Sequence, residues 1–197
     1  LKPQLIKIGS GEENKNIDSC IKIWKSLIDF KADRKCLLIN LGGGVITDIG
    51  GFSANTFNRG IDFVNVPTTL LSIVDASVGG KTGINFQSIK NKIGTFYDPK
   101  LVIIDLQYLD TLEEREIRSG YCEIYKHSLI SKTNSKFNQL TNSDKINFSE
   151  EIIKNSIKIS IKNSKTHFLK SLKSQGRNEC WEINHSISLI GRIISQR

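Results

Sequence analysis

The chain has no long apolar run: nothing in it approaches the ~20 consecutive residues that a bilayer-spanning helix requires, so a membrane-spanning role is not expected. Paired cysteines are missing too. Cys20, Cys36, Cys122 and Cys180 are scattered, none in Cys-x-x-Cys spacing, and no charged-then-apolar opening resembles an export signal. Both absences point to a reducing, cytoplasmic setting. No internal repeat is visible. What is present is ordinary globular composition: 197 residues, 38% hydrophobic and 24% charged, enough for one sizeable core or one and a half domains. A formal charge of +8 and a pI near 9.3 suit nucleic acid, an anionic membrane surface or a phosphorylated small molecule equally well.

Two textures divide the chain. From Lys35 to about Asp105, short apolar runs ("CLLINLGGG", "IDFVNVPTT", "LVIIDL") alternate with glycine-rich breaks. Runs of four to six such residues bounded by Gly, Pro or Asn read as buried strands, and the pieces between them are long enough for helices, which predicts a layered α/β domain. From Leu112 onward the spacing turns helical. "TLEEREIRSGYCEIYKHSLISK" opens on Thr111 as a predicted cap with acids in the first turn. A polar loop follows, and then a Ser-, Asn- and Lys-rich amphipathic stretch from Glu150 whose basic residues read as a solvated helix face rather than a nucleic-acid stripe.

Three motifs carry chemistry. In "LLINLGGGVITDIGGF" a strand enters a glycine turn and then a helix, the arrangement that brings backbone N–H groups close to a phosphate. Gly42, Gly43 and Gly44 fit a pyrophosphate cradle, with Asp48 one turn on to accept from a ribose or to fix the loop. The spacing is not Gly-x-Gly-x-x-Gly, so a tight strand-to-helix turn stands as the alternative. In "VPTTLLSIVDASVGGKTGIN" the hydroxyls of Thr68 and Thr69 precede Asp75, and Gly79 and Gly80 stand beside Lys81. Glycines let backbone approach an anion while the ammonium supplies charge. Lys90 and Asn91 add a second cation and an amide, and Arg59 a third positive group. In "SGYCEIYKH" helical spacing puts Glu123, Lys126 and His127 on one face. The group reads either as a helix ion pair with a half-exposed histidine or as a carboxylate site with Lys126 beside it; one carboxylate is not a metal site. His167, on the basic stretch, reads as structural, and His185 as core or ligand.

The order "GEENK", "GGGVITDIGGF", "NRG", "VPTTLLSIVDASVGGKTGIN", "KNKIGTFYDP", "YLDTL" and "GYCEIYKH" resembles 3-dehydroquinate synthase, colinearly from about Gly11 to Ile130. The resemblance implies a Rossmann-like NAD-binding domain over residues 1–108, followed by an α-helical metal- and substrate-binding domain over 109–197, both incomplete. It also implies conversion of the keto-sugar acid phosphate DAHP to 3-dehydroquinate and phosphate. The substrate is transiently oxidised by NAD, phosphate is eliminated, the ketone is reduced again, and an intramolecular aldol closes the ring. NAD and a divalent metal, zinc or cobalt, are the implied cofactors. By position, Glu12, Glu13, Lys15, Gly43, Gly44, Val45, Asp48, Thr68, Thr69, Leu109 and Thr111 resemble the family's NAD contacts. Arg59, Asp75, Lys81, Lys90, Asn91 and Lys126 resemble its substrate and catalytic set, and Glu123 and His185 two of its metal ligands. Several fixed cations suit a substrate that carries both a phosphate and a carboxylate. A homodimer is implied as well, with no nucleic-acid or membrane partner.

The pattern departs from the family near its end. In "GRNECWEINHSISLIGR" the arginine comes one place early at Arg177, Glu182 takes an asparagine position, Leu189 takes that of a second histidine, and no third metal ligand follows. The chain is expected to be truncated at both ends, as a fragment or a gene whose 3′ part has drifted or shifted frame. Two further readings compete with the synthase: another sugar-phosphate cyclase, and a non-catalytic remnant or basic binding protein.

Overall fold

The computed structural model describes residues 3–130 and 149–174. Helix α1, Ile17–Asp29, opens on Asn16, whose side chain accepts the Ser19 N–H and so satisfies a donor that has no partner within the helix. Cys20, Ile23 and Leu27 recur at helical spacing and are buried. Strand β1, Leu37–Gly42, passes through the glycine turn into helix α2, Gly44–Thr56, and strand β2, Asp62–Pro67, follows. A hairpin of β3, Lys81–Phe86, and β4, Ile89–Phe96, leads to the short β5, Leu101–Val102, and then to helices α3, Glu114–Ile130, and α4, Glu150–Ser174.

Strands β1, β2 and β5 form one parallel sheet in that order. A strand, a crossover helix and a parallel strand make the βαβ unit of layered α/β folds, as the alternating texture predicts. Helix α2 lies close on the sheet because Gly50 faces Asn40: a Cβ at residue 50 would stand 1.9 Å from Asn40 Oδ1. Asn40 is itself buried, and its Nδ2 donates to Asn65 Oδ1 across the β1–β2 register at 3.0 Å, which offsets the cost of taking two amides out of water.

Helices are expected between the strands, but the stretch Lys81–Phe96 is an antiparallel hairpin. Its basic, glycine-containing strands give no apolar alternation. They are held instead by the Thr82–Thr95 hydroxyl pair at 2.8 Å and by packing on α2, where a Cβ at Gly51 would meet Thr82 Cγ2 at 2.4 Å. The expected cap at Thr111 is also corrected. Helix α3 begins at Glu114, and its first amides, those of Glu116 and Ile117, are taken by Glu113 O. A 3-10 turn over Leu106–Leu109, which buries Leu109, holds Thr111 outside the helix. The acids expected in the first turn are there as Glu114 and Glu116.

Apolar side chains gather in two clusters. One joins α1, α2, Ile61, Phe63 and Ile84. The other joins Leu70, Ile73, Val74 and Val78 to Ile124 of α3 and to Ile152, Ile153 and Ile157 of α4. Lys154 and Lys158 lie on the exposed side of α4, as the solvated-face reading expects. Among the described residues no helix is long and apolar enough to cross a membrane.

Gly120 fixes how closely α3 approaches the segment before Asp75. A Cβ there would stand 2.6 Å from both Leu70 Cβ and Leu71 N, and a backbone nitrogen cannot rotate out of the way. Gly120→Ala gains ~1 kcal/mol of helix propensity, but overpacking costs about 1–3 kcal/mol. The expected outcome is a lower melting temperature, by roughly 2–4 °C for each kcal/mol of net loss in a chain of this size. A higher melting temperature by calorimetry would mean that α3 does not press on residues 70–71.

Candidate functional site

Two groups of side chains occupy the end of the sheet to which the strands deliver the chain, the edge where open α/β sheets usually bind ligands. The first is built around Lys15. Its side chain is only 6% exposed, and its ammonium donates to Asp48 Oδ2 and to Asn91 Oδ1, each at 2.5 Å. A buried ammonium is tolerable only when paired in this way. Asp48 therefore fixes its surroundings through a lysine, one of the two roles its position allowed. Glu12 Oε1 accepts from Asn85 Nδ2 at 2.9 Å and lies 3.8 Å from Lys90 Nζ. Asn85 N–H donates to Lys15 O, and Asn91 N–H to Asn85 Oδ1. The "GEENK" segment, α2 and the hairpin thus meet in one network. Asn85, which the motifs did not single out, is its hub. A polar residue inside a strand-forming run was the only signal for it.

The glycine turn adjoins the same place. Gly43 caps α2 without a side-chain hydrogen bond. A Cβ at Gly43 would lie 3.0 Å from Thr69 Cγ2, and one at Gly44 3.3 Å from Ala76 Cβ, next to Asp75. Thr68 N–H donates to Gly42 O, and Thr69 and Ser72 exchange hydroxyl and amide hydrogen bonds at the head of the next turn. Val45 is half-buried in the first turn of α2. Backbone approaches unimpeded on the glycine side, and the exposed Lys81 and Lys90 stand on the hairpin. Asn91 takes a left-handed φ of 53°, which Asn tolerates better than most residues.

The second group centres on Glu123. Asp75 lies in a π-helical turn, Ser72–Ala76, a rare geometry that is frequent at functional sites. Lys126 Nζ forms an ion pair with Glu123 Oε1, and His127 Nε2 lies 3.3 Å from the same oxygen. The shared helix face is therefore as expected, but the half-exposed histidine is not: His127 is 2% exposed. Helix α4 covers it, and His127 Nδ1 stands 2.6 Å from Ser156 Oγ. Burial pushes the imidazole below its ordinary pKa, while Glu123 and Asp75 pull the other way. Ser160 Oγ donates to Asp75 Oδ1 at 2.9 Å. Glu123 Oε1 is a buried oxygen with no hydrogen-bond partner. Ligand atoms of Asp75, Glu123 and His127 all lie within 4.8 Å of one another. A buried carboxylate oxygen that has an ion pair to Lys126 but no hydrogen bond, beside oxygen and nitrogen donors, fits a divalent cation. Lys126 is half-exposed above it.

Other expected residues stand apart. Arg59 is exposed in a tight turn after α2, with a left-handed φ of 65°, and Glu13 is exposed in the 3-10 turn Glu12–Asn14. Leu109 is buried in the helical cluster and Thr111 is exposed. His185, with Arg177, Glu182 and Leu189, lies outside the described residues.

Two solved synthases resemble the structure. The structure superposes with a TM-score of 0.64 on 2-epi-5-epi-valiolone synthase from Streptomyces hygroscopicus subsp. jinggangensis, solved with NAD+ and Zn2+ bound. The match is 28% identical and covers 90% of this chain and 48% of that one. A 2-deoxy-scyllo-inosose synthase complexed with carbaglucose-6-phosphate, NAD+ and Co2+ gives a TM-score of 0.66 at 28% identity, over 81% of this chain and 44% of that one. Fold and site define a Rossmann-like α/β chain of the sugar-phosphate cyclase class. The family model described as 3-dehydroquinate synthase N-terminal matches residues 5–119. The 3-dehydroquinate synthase of Parabacteroides distasonis is 52% identical over 66% of this chain and 37% of its own length, and that of Pyrococcus abyssi is 42% identical over 92% and 54%. The chain belongs to the 3-dehydroquinate synthase family, and it spans between a third and about half of the length of these relatives.

Burial pushes the Asp48 carboxyl up to about 6, against the pull of Lys15, with the negative charges of Glu12 and Asp75 adding to the rise. An unfolded chain releases that proton near pH ~4. Between these values the folded state holds the extra proton, so Asp48 makes the fold lose stability as pH rises from about 4 to about 6 and contributes no slope above. Carbon-detected NMR of the Asp48 carboxyl is expected to show a midpoint near 6. A midpoint at or below the ordinary aspartate value would show instead that Lys15 outweighs burial.

Proposed function

We propose that the chain is the central part of a 3-dehydroquinate synthase that converts DAHP to 3-dehydroquinate and phosphate, with NAD and a divalent metal as cofactors. The observation that carries this reading is the buried Glu123 Oε1, which makes no hydrogen bond and is set between Asp75, His127 and its ion-pair partner Lys126. Only Ala76 separates Asp75 from the glycine turn, so the metal-binding carboxylate and the nucleotide cradle open on one place. Gly43, Gly44 and Val45 offer free amides to the pyrophosphate of NAD. Glu12, Glu13, Lys15, Asp48, Thr68, Thr69, Leu109 and Thr111 complete its environment, Lys15 and Asp48 by holding each other.

Bound NAD supplies a hydride acceptor that is regenerated within the turnover, and a bound divalent ion supplies Lewis acidity at a substrate hydroxyl. The chain's own residues do the rest. Glu123 and His185 hold the metal in this reading. Lys81, Lys90, Asn91 and Arg59 receive the phosphate and carboxylate of the substrate, and fixing both ends orients the carbon chain between them. Lys126 and Asp75 flank the reacting hydroxyl, one able to give a proton and the other to accept one. In this reading residues 1–108 form the NAD-binding part and 109–197 the metal- and substrate-binding part, with Leu70, Ile73, Val74, Val78 and Val102 of the first packed against the helices of the second. The free thiols of Cys20, Cys36 and Cys122 agree with a cytoplasmic enzyme. A homodimer is part of the same reading.

A second reading, a cyclase for a different sugar phosphate, is favoured by the two solved neighbours at 28% identity, but the curated relatives at 42–52% favour the synthase. The test is inorganic phosphate released from DAHP, from glucose 6-phosphate and from sedoheptulose 7-phosphate. It is run on the purified chain and on a form extended to the length of its relatives. Release from DAHP alone, dependent on both NAD and a divalent metal, is expected. Release only from another sugar phosphate supports the second reading, and no release from either form would leave a non-catalytic remnant.

A further inference from the structure

We infer that Ser160, on helix α4, is the positioning residue that sets the orientation of the Asp75 carboxylate. The inference rests on the reading above, in which Asp75 accepts a proton beside the reacting hydroxyl, and deepens it by naming what holds the acceptor.

The first argument is the place of the hydroxyl. The buried stripe of α4 runs through Ile152, Ile153, Ser156, Ile157 and Ser160, and Ser160 is only 2% exposed. An apolar side chain would complete such a stripe, and a hydroxyl taken out of water there is costly unless it is used. A serine within a helix can place its hydroxyl on the carbonyl four residues back, as Ser26 does on Lys22 O at 2.9 Å. Ser160 reaches off its own helix instead, and its Oγ donates to Asp75 Oδ1 at 2.9 Å. Among the described residues this is the one hydrogen bond that the Asp75 carboxylate makes.

The second argument is what the contact adds. Packing settles the backbone of Asp75 but not its carboxylate. The π turn Ser72–Ala76 is fastened by Leu70, Ile73 and Val74, each fully buried, and by the Val78 N–H, which donates to Asp75 O at 3.1 Å. Those contacts fix Cα and Cβ. The last torsion of an aspartate joins sp³ to sp² carbon and has a broad, roughly two-fold profile, so the half-buried carboxylate would turn without a donor. Ser160 supplies the donor to one oxygen, and the other keeps its lone pairs for a proton. A carboxylate oxygen of Asp75 lies within 4.8 Å of ligand atoms of Glu123 and His127, so the rotation of this one group decides how the acceptor meets the substrate. In a reacting site a misplacement of about 1 Å can cost about 100-fold in rate.

Carbon-detected NMR of the Asp75 carboxyl in the purified chain, assigned through Asp75→Asn, reads the contact without any turnover. Exchange of H2O for D2O is expected to shift that signal through the hydrogen bond in the wild type and in Ser160→Thr, which keeps the hydroxyl, but not in Ser160→Ala. Ser156→Ala, which removes the other hydroxyl of the stripe, is expected to keep the shift. Kinetics are measured in whichever form releases phosphate from DAHP. There Ser160→Ala is expected to lower kcat about 10-fold with KM unchanged, and Ser160→Thr to restore most of it. Melting temperatures check that each variant is folded, and the alanine comparison decides alone if the threonine methyl does not fit. An Asp75 signal that responds alike in the wild type and in Ser160→Ala would overturn the inference. So would wild-type kcat in Ser160→Ala, or a rise in its KM alone. The expected isotope shift with no phosphate release from any form would count against the proposed reaction and leave the assignment of Ser160 standing.

Discussion

A buried ammonium organises one end of this molecule. Lys15 is withdrawn from water, and a charge in that position must be met by a carboxylate and further acceptors or the fold loses several kcal/mol. Asp48 and Asn91 meet it, and with Lys15 they join three stretches of chain distant in sequence: the segment before α1, the second turn of α2 and the second strand of the hairpin. The hairpin buries little apolar surface of its own, with Phe86, Ile89, Ile93 and Phe96 exposed, so polar anchors of this kind, with its packing on α2, decide where it lies. Lys81, Lys90 and Asn91 are placed by it in turn. Without the lysine, those groups would sit on a two-stranded ribbon of the marginal kind that rarely holds its position alone.

The second group depends on close packing. Gly120 brings α3 against residues 70–71, and Ile124 locks beside Ile73 and Val74, so the π turn presents Asp75 to Glu123. Helix α4 then closes the far side with two serines set among isoleucines. A carboxylate pair facing inward would be destabilising without a cation, and the Lys126 ammonium meets Glu123 from the solvent side.

The glycine turn, the strands on either side of it and the amphipathic helix carrying Glu123 were legible because each is a local pattern: an apolar run, a flexible turn, a helical period. The hairpin was not, since its strands are basic and half-exposed and owe their conformation to contacts with α2 and Lys15. The burial of His127 was equally hidden. Helical spacing relates it to Glu123 four residues earlier, but whether its ring is wet or dry depends on α4, more than twenty residues onward. Ser156 and Ser160 look in the sequence like part of a compositional bias, and only their position opposite His127 and Asp75 sets them apart. Helix α3 starts later than its Thr111 suggested because the turn before it is held by the buried Leu109, a tertiary contact overriding a capping preference. Asn85 carries no motif. It matters because its backbone and side chain join Lys15, Glu12 and Asn91.

The proposed reaction needs a site where a hydride is lent and returned rather than kept. The most direct test is rapid mixing of the chain, extended to the length of its relatives and loaded with NAD and a divalent metal, with a single equivalent of DAHP while NADH absorbance is followed. The account predicts that NADH rises and then disappears as phosphate is released. Stoichiometric NADH that persists would contradict it by making the protein a dehydrogenase, as would complete phosphate release with no NADH at any time.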